Sequence, residues 1–247
     1  MNEVFQPKPV KTNSPLMFRM RSIFDLQLST IFEQLRIEVP RLRGEIIDVG
    51  AGESPWRFLL NSNCNYVGLD ITNSDDFKMR SLREEITYYD GGEFPFPNKR
   101  FTAAICIETL EHVPNPSQML SQIFRVLDER GTLLLSVPWS ARRHHIPYDF
   151  FRYTPEGLNH LLVQAGFVGI EISPRGSEAH VIANKLLIFA IGNLKAKKNA
   201  TYLLKITSTL FVLPMLGFWF SMSWINRLLG VRSDIDPLGY FVKASKP

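Results

Sequence analysis

Apolar runs alternating with helical patterns predict an α/β fold on a doubly wound parallel sheet. Five short runs, at 45–49, 65–70, 86–90, 101–107 and 131–137, read as strands. They are almost continuously apolar, as strands covered on both faces must be. Three of them end in glycine or acidic residues, where an open α/β sheet binds its ligand.

Each element has its own signal. Residues 20–38 read as one helix, with Ile23, Phe24, Leu28, Ile31, Phe32 and Leu35 at helical spacing. Pro40 and Gly44 end it. The first strand runs into Gly50-Ala51-Gly52, and Pro55 is placed to open a following helix. Residues 116–128 read as a helix with Asn115 as N-cap, Pro116 at the first position, one apolar stripe and Gly131 beyond its end. Residues 155–165 read the same way, with Thr154 as cap, Pro155 and a stop at Gly166. Residues 167–173 alternate as a strand.

Composition narrows the function classes. Hydrophobic residues make up 45% of the 247, enough for a sizeable core. The net charge of +4 is spread along the chain, so nucleic acid is not an expected partner. Two cysteines, Cys64 and Cys106, make no disulfide framework or zinc site of cysteines and read as reduced core residues of a cytoplasmic protein. Residues 1–19 read as a flexible tail without an export signal.

The strand ends suggest a nucleotide-type ligand. Gly50 and Gly52 let the backbone turn tightly and approach a ligand. Asp70, 18 residues after Gly52, can accept hydrogen bonds from ribose hydroxyls, and Asp90 ends the next strand. A dinucleotide fingerprint needs a third glycine where Pro55 stands, and no P-loop lysine follows, so the loop suits a ligand without a phosphate to cradle. Taken singly, each aspartate is equally well a turn-capping residue.

Asp48-x-Gly50-x-Gly52, Asp70, Asp90 and the run from Phe94 to Phe101 resemble the class I S-adenosylmethionine (AdoMet) methyltransferases of the type 11 group. Glu108-Thr109-Leu110-Glu111-His112-Val113-Pro114-Asn115-Pro116 is similar to the same segment in ubiquinone-biosynthesis O-methyltransferases. The run from Pro147 to Thr154 is similar to methyltransferases of polysaccharide gene clusters. The resemblance covers about residues 44–173. It implies a Rossmann-like seven-stranded sheet whose antiparallel last strand lies at 237–247. It also implies that Asp48, Gly50, Gly52 and Glu108 hold the methionine part of AdoMet, Asp70 and Ile71 the ribose, and Asp90 the adenine. Ser54 stands where relatives often have a third glycine.

Methyl transfer to oxygen or nitrogen calls for a base, and the candidates are His112 and His145, with His144 beside it. His112 reads equally well as a turn residue bonded to a carbonyl. His145, Asp149 and Arg152, amid aromatic residues, could contact an acceptor; alternatively Asp149 and Arg152 pair with each other in a packed lid. Glu108, Glu111 and His112 stand at i, i+3 and i+4 and could share a helical face around a divalent ion, but no metal is assigned.

The remaining segment, 177–236, reads as an inserted hydrophobic helical hairpin. Residues 206–226 carry no charge in 21 positions, a helix of about 31 Å. A bilayer span conflicts with the return of the chain to the sheet, so the expectation is contact of 181–230 with a membrane surface, lysines toward the headgroups. Packing against the domain or a second copy is the plainer alternative. The divisions are thus a tail (1–19), an AdoMet-binding domain (20–176), the insertion (177–236) and the last strand (237–247). The predicted activity is AdoMet-dependent O-methylation of a glycan, lipid-linked sugar or small lipophilic acceptor. An inactive scaffold of the same fold is the alternative, and Pro55 disfavours a nicotinamide-dependent oxidoreductase.

Overall fold

The computed structural model describes residues 15–53, 55–74, 85–195 and 202–247. Its elements in chain order are α1 (Pro15–Phe24), α2 (Leu26–Glu38), β1 (Gly44–Val49), β2 (Cys64–Ile71), β3 (Ile86–Tyr89), β4 (Phe101–Ile107), α3 (Pro116–Val126), β5 (Leu127–Pro138), α4 (Pro155–Ala165), β6 (Val168–Arg175), α5 (Glu178–Leu194), α6 (Tyr202–Leu228) and β7 (Gly239–Ser245). The seven strands form one sheet in the order β3-β2-β1-β4-β5-β7-β6. β1 pairs in parallel with β2 and with β4, so the strand order reverses between β1 and β4. That switch point is where such sheets bind ligands. β7 is antiparallel to both neighbours, β5 and β6.

Strand periodicity sorts the apolar side chains into two cores. Ile46, Ala103, Ile105 and Leu134 pack with Leu28, Ile31 and Leu35 of α2 on one face. Their sequence neighbours Ile47, Ala104, Cys106, Leu133 and Leu135 pack with α3 and α4 on the other. The expected caps are in place. Asn115 accepts from the Gln118 amide and Thr154 from the Gly157 amide, and Gly166 ends α4 at φ 100°.

Four boundaries differ from the sequence reading. The helix expected at 20–38 is two helices, because Asp25 leaves the helical region (φ −93°, ψ 95°) and caps α2 through the Leu28 amide. α1 begins at Pro15, so residues 15–19 of the expected tail are helical; the rest of that tail, 1–14, lies outside the described residues. The helix expected to reach 128 stops at Val126. Leu127 turns extended (ψ 140°) and starts β5, which leaves Gly131 inside a strand, with a bulge between Phe101 and Ala103 on its partner. After the glycine loop there is a 3₁₀ turn, Arg57–Leu59, where Pro55 suggested a helix. Trp56, buried and edge-on to Phe18, covers that face of the sheet instead.

The hairpin is anchored at its base. Trp219 and Phe220 pack on Leu26, Val181 and Leu238. Asn226 donates to the Ser177 hydroxyl at 2.9 Å, and Arg227 pairs with Glu33. Beyond that base the hairpin carries exposed Phe189 and Leu194 on α5 and Leu203, Leu210, Phe211 and Phe218 on α6.

Candidate donor and acceptor site

The register places the aspartates. Asp48 lies opposite Gly68, two residues before Asp70, and Asp70 lies opposite Tyr88, two residues before Asp90. Because side chains alternate with period two, Asp48 and Asp70 fall on one face at the carboxyl edge of the sheet. Asp90 leaves that edge just after β3.

Asp48 is buried and its Oδ2 accepts from the Tyr66 hydroxyl at 2.8 Å. Burial pushes its carboxyl up to about 7; the Tyr66 bond opposes the rise and nearby Asp70 adds to it. Asp70 accepts from the Gly52 amide at 2.9 Å through Oδ2 and from its neighbour Ile71 at 2.7 Å through Oδ1. Burial raises its pKa as well, against those two bonds. Gly50 and Ala51 both donate to the Leu69 carbonyl, at 2.8 and 3.2 Å. Gly50 has φ +73°, and a Cβ there would sit 2.3 Å from the Thr109 side chain. Glycine is therefore required by conformation and by the residue crossing above it. Ser54 lies outside the described residues.

Asp90 is exposed and accepts from the Gly92 amide at 2.9 Å, closing a turn. Beside it a cleft opens, lined by Tyr89, Gly91, Gly92, Phe94, Val113 and Met119 among others.

Glu108 follows β4 in the left-handed region, φ +52°. Its Oε1 accepts from the Ser136 hydroxyl at 2.7 Å and from Arg175 Nη2 at 2.9 Å. Arg175 is wholly buried and also donates to Thr30 Oγ1 at 3.3 Å. Sequence reasoning missed Ser136 and Arg175. Neither left a trace in the sequence, because both strands carry other polar residues as well.

The carboxylate–histidine face that a helical turn at Glu108 would make does not form. Residues Leu110–His112 make a 3₁₀ turn, not an α-helix, and Glu108, held by Arg175, lies outside it. The structure brings Glu111 and His112 instead to His144 and His145 of the loop 139–154. That loop is laced to the turn: Phe150 N–H donates to the Glu111 carbonyl at 2.9 Å, the Tyr153 hydroxyl to the Leu110 carbonyl at 3.1 Å, and His112 Nδ1 to the Tyr148 carbonyl at 2.7 Å. Asp149 and Arg152 do pair, at 2.7 and 2.9 Å, and Asp149 also accepts from the His144 amide at 3.0 Å. With its side chain 1% exposed, Asp149 spends both carboxylate oxygens on contacts within the lid. Burial holds all three histidines below the ordinary imidazole range, His144 at about 3 and His145 at about 4, with the neighbouring rings adding to the shift in both.

A seven-stranded sheet with an antiparallel β7, a glycine loop at the switch point and acids at successive strand ends defines a class I AdoMet-dependent methyltransferase. The family profile described as a methyltransferase domain matches residues 24–172, more than half of the chain, and the chain belongs to that family. Among solved structures it is similar to an AdoMet-dependent methyltransferase from Archaeoglobus fulgidus (16% identity, TM-score 0.56, covering 94% of this chain and 99% of that one). A second, from Thermotoga maritima, gives 11% identity and TM-score 0.55 over 96% of each chain. A third is phosphoethanolamine N-methyltransferase 2 of Haemonchus contortus with AdoMet bound (15% identity, TM-score 0.50, 87% of this chain and 53% of that one). These likenesses show the fold. No curated protein matches the chain in sequence.

The protein is thus an AdoMet-dependent methyltransferase. The edge residues fit such a ligand chemically. Two buried carboxylates carry a desolvation cost that a cationic ligand relieves, and each Asp70 oxygen retains acceptor capacity beyond its one backbone bond.

Proposed function

We propose that this methyltransferase acts at a membrane surface, on the cytoplasmic side, and methylates an oxygen of a glycan, a lipid-linked sugar or a small lipophilic acceptor. In this reading Asp48, Gly50, Gly52 and Glu108 hold the methionine end of the donor, Asp70 and Ile71 the ribose, and Asp90 the adenine side. The histidine-bearing loop 139–154 borders the acceptor. When bound, AdoMet supplies a methyl group on a sulfonium, and the residues at the sheet edge orient it and exclude water.

The observation that carries the reading is the distal half of the hairpin. α6 has 27 residues, with a mean hydropathy of 1.6 and 6% burial over its most apolar window. Leu203, Leu204, Leu210, Phe211, Leu213, Met215 and Phe218 are all exposed. At 3.6 residues per turn they occupy more than half of the helix circumference. A protein groove would require one apolar stripe, whereas apolar side chains around most of a helix suit lipid. Both ends of the hairpin rejoin one sheet, through β6 and β7. A single crossing is therefore excluded, and both ends of the hairpin stay on the same side of any membrane it enters. Leu16, Met20 and Phe24 of α1 are also exposed, and Phe24 stacks on Phe220 at the hairpin base, which extends the apolar surface.

Flotation with anionic liposomes tests the membrane part. The full chain is expected to float, and Phe211→Glu with Leu213→Glu to stay at the bottom of the gradient. Incubation with methyl-labelled AdoMet and membrane extract tests the acceptor, and label is expected in the lipid-extractable or glycolipid fraction. A protein that never floats and labels water-soluble acceptors alone would overturn the proposal.

A further inference from the structure

We propose that Glu111, His112, His144 and His145 form a closed site for one zinc-class divalent cation, which clamps the loop 139–154 onto the turn that follows β4. No metal was expected from the sequence, and the carboxylate–histidine set weighed there included Glu108, which the structure holds elsewhere. This inference is independent of the acceptor and membrane readings.

The first observation is the tautomers. His112 Nδ1 lies 2.7 Å from the Tyr148 carbonyl oxygen, and His144 Nδ1 lies 3.1 Å from the Arg142 carbonyl oxygen. A carbonyl oxygen can only accept, so in each neutral ring the hydrogen belongs on Nδ1. Both Nε2 atoms then carry lone pairs, and they face each other at 3.2 Å. Two lone pairs at that distance are held together by a shared proton or by a metal ion, and the buried carboxylate beside them favours the metal ion. A ring nitrogen fixed by a carbonyl behind it is also the usual arrangement of a metal-binding histidine.

The second observation is Glu111. It is 0% exposed, and neither carboxylate oxygen has a hydrogen-bond partner among the described residues. Its Oε1 lies 3.6 Å from His112 Nε2 and 3.9 Å from His144 Nε2. An unpartnered buried carboxylate is costly, and one aimed at two imidazole lone pairs is oriented as a ligand would be. The third donor ring comes from His145. Ligand atoms of the three histidines all lie within 4.8 Å of one another. Adjacent residues of an extended chain point apart, yet His144 and His145 have ring centroids 5.2 Å apart, and His145 takes φ +52°. The backbone turns so that both rings share one centre.

Donor chemistry selects the ion. Three imidazoles and one carboxylate suit zinc and its neighbours, while magnesium and calcium take oxygen ligands. In a tetrahedral site with metal–nitrogen bonds of about 2.0–2.1 Å, ligand nitrogens stand about 3.3 Å apart, close to the 3.2 Å seen between the two Nε2 atoms. Four protein donors leave no open position, which marks a structural site. The ligands come from two segments 32 residues apart in sequence, so the ion would cross-link the lid to the sheet edge.

The full-length protein, reconstituted with zinc and passed over a weak chelating resin, is analysed for metal by mass spectrometry. About one equivalent per chain is expected. Cobalt in its place should give the visible absorption of a tetrahedral ion. His144→Ala and Glu111→Gln should each lower zinc affinity tenfold or more, while His160→Ala, an exposed histidine of α4, should not change it. Circular dichroism and binding of S-adenosylhomocysteine report whether each variant is folded. Chelation should speed tryptic cleavage after Arg142 or Arg143 in the wild type and leave folded His144→Ala unaffected. Less than a tenth of an equivalent of zinc in the wild type would overturn the site, as would equal zinc in folded His144→Ala. Unchanged proteolysis on chelation would overturn the clamp.

Discussion

Replacing Asp48 with asparagine isolates the cost of holding a carboxylate beneath the glycine loop. Asp48 is 3% exposed, and burial raises its pKa from 3.8 to about 7. Because the folded value exceeds the unfolded one, the native state binds the proton more tightly between them. The resulting stabilisation is complete below pH 3.8, declines as pH rises and is lost above pH 7. The shift is a little over three units, worth ~4 kcal/mol in all. Asparagine has no charge to bury, and its Oδ1 can still accept from Tyr66 in place of the carboxylate oxygen. Urea denaturation of both proteins from pH 5 to 8 measures the effect. The stability of Asp48→Asn relative to wild type should grow by about 1.4 kcal/mol per unit up to pH 7 and then level off. The cationic sulfonium of AdoMet favours the ionised carboxylate, so calorimetric affinity for AdoMet should rise with pH up to about 7 in wild type and stay flat in the variant. A stability difference that does not change with pH would refute the argument.

Other expectations concern the residues around it. Glu108→Gln should destabilise more than Arg175→Met, because the first leaves a wholly buried guanidinium without its counter-charge, while the second leaves a carboxylate with 24% of its side chain exposed. Losses of about 3–5 kcal/mol are typical when a buried partner is stranded, and thermal or urea unfolding of the two variants ranks them. Gly50→Ala places a Cβ 2.3 Å from Thr109 at φ +73°. The left-handed backbone alone costs about 1–2 kcal/mol, and donor binding should weaken with it; pairing it with Thr109→Ser, which keeps the hydroxyl, should not restore binding, whereas Thr109→Gly should restore part. Asn115→Ala removes the cap on the Gln118 amide and should lower stability by about 1 kcal/mol without changing donor affinity.

The sequence by itself determined the local layer of this protein. Its strands were legible because burial on both faces leaves continuous apolar runs, and Ile46 and Ile47 could be assigned to opposite cores by parity alone. Asn115 and Thr154 announced their helices because capping is satisfied within three residues. The acids at the carboxyl ends of β1, β2 and β3 stood out because each closes an apolar run in the sequence. Long-range encounters were decided by the tertiary structure. Arg175 meets Glu108 from 67 residues away, and no periodicity points from one to the other. Glu108, Glu111 and His112 look like one helical face on paper. A left-handed residue and a 3₁₀ turn separate them, and the lid supplies His144 and His145 in place of Glu108. The break at Asp25 and the early start of β5 have the same origin: packing chose between conformations that local propensity left nearly equal in energy.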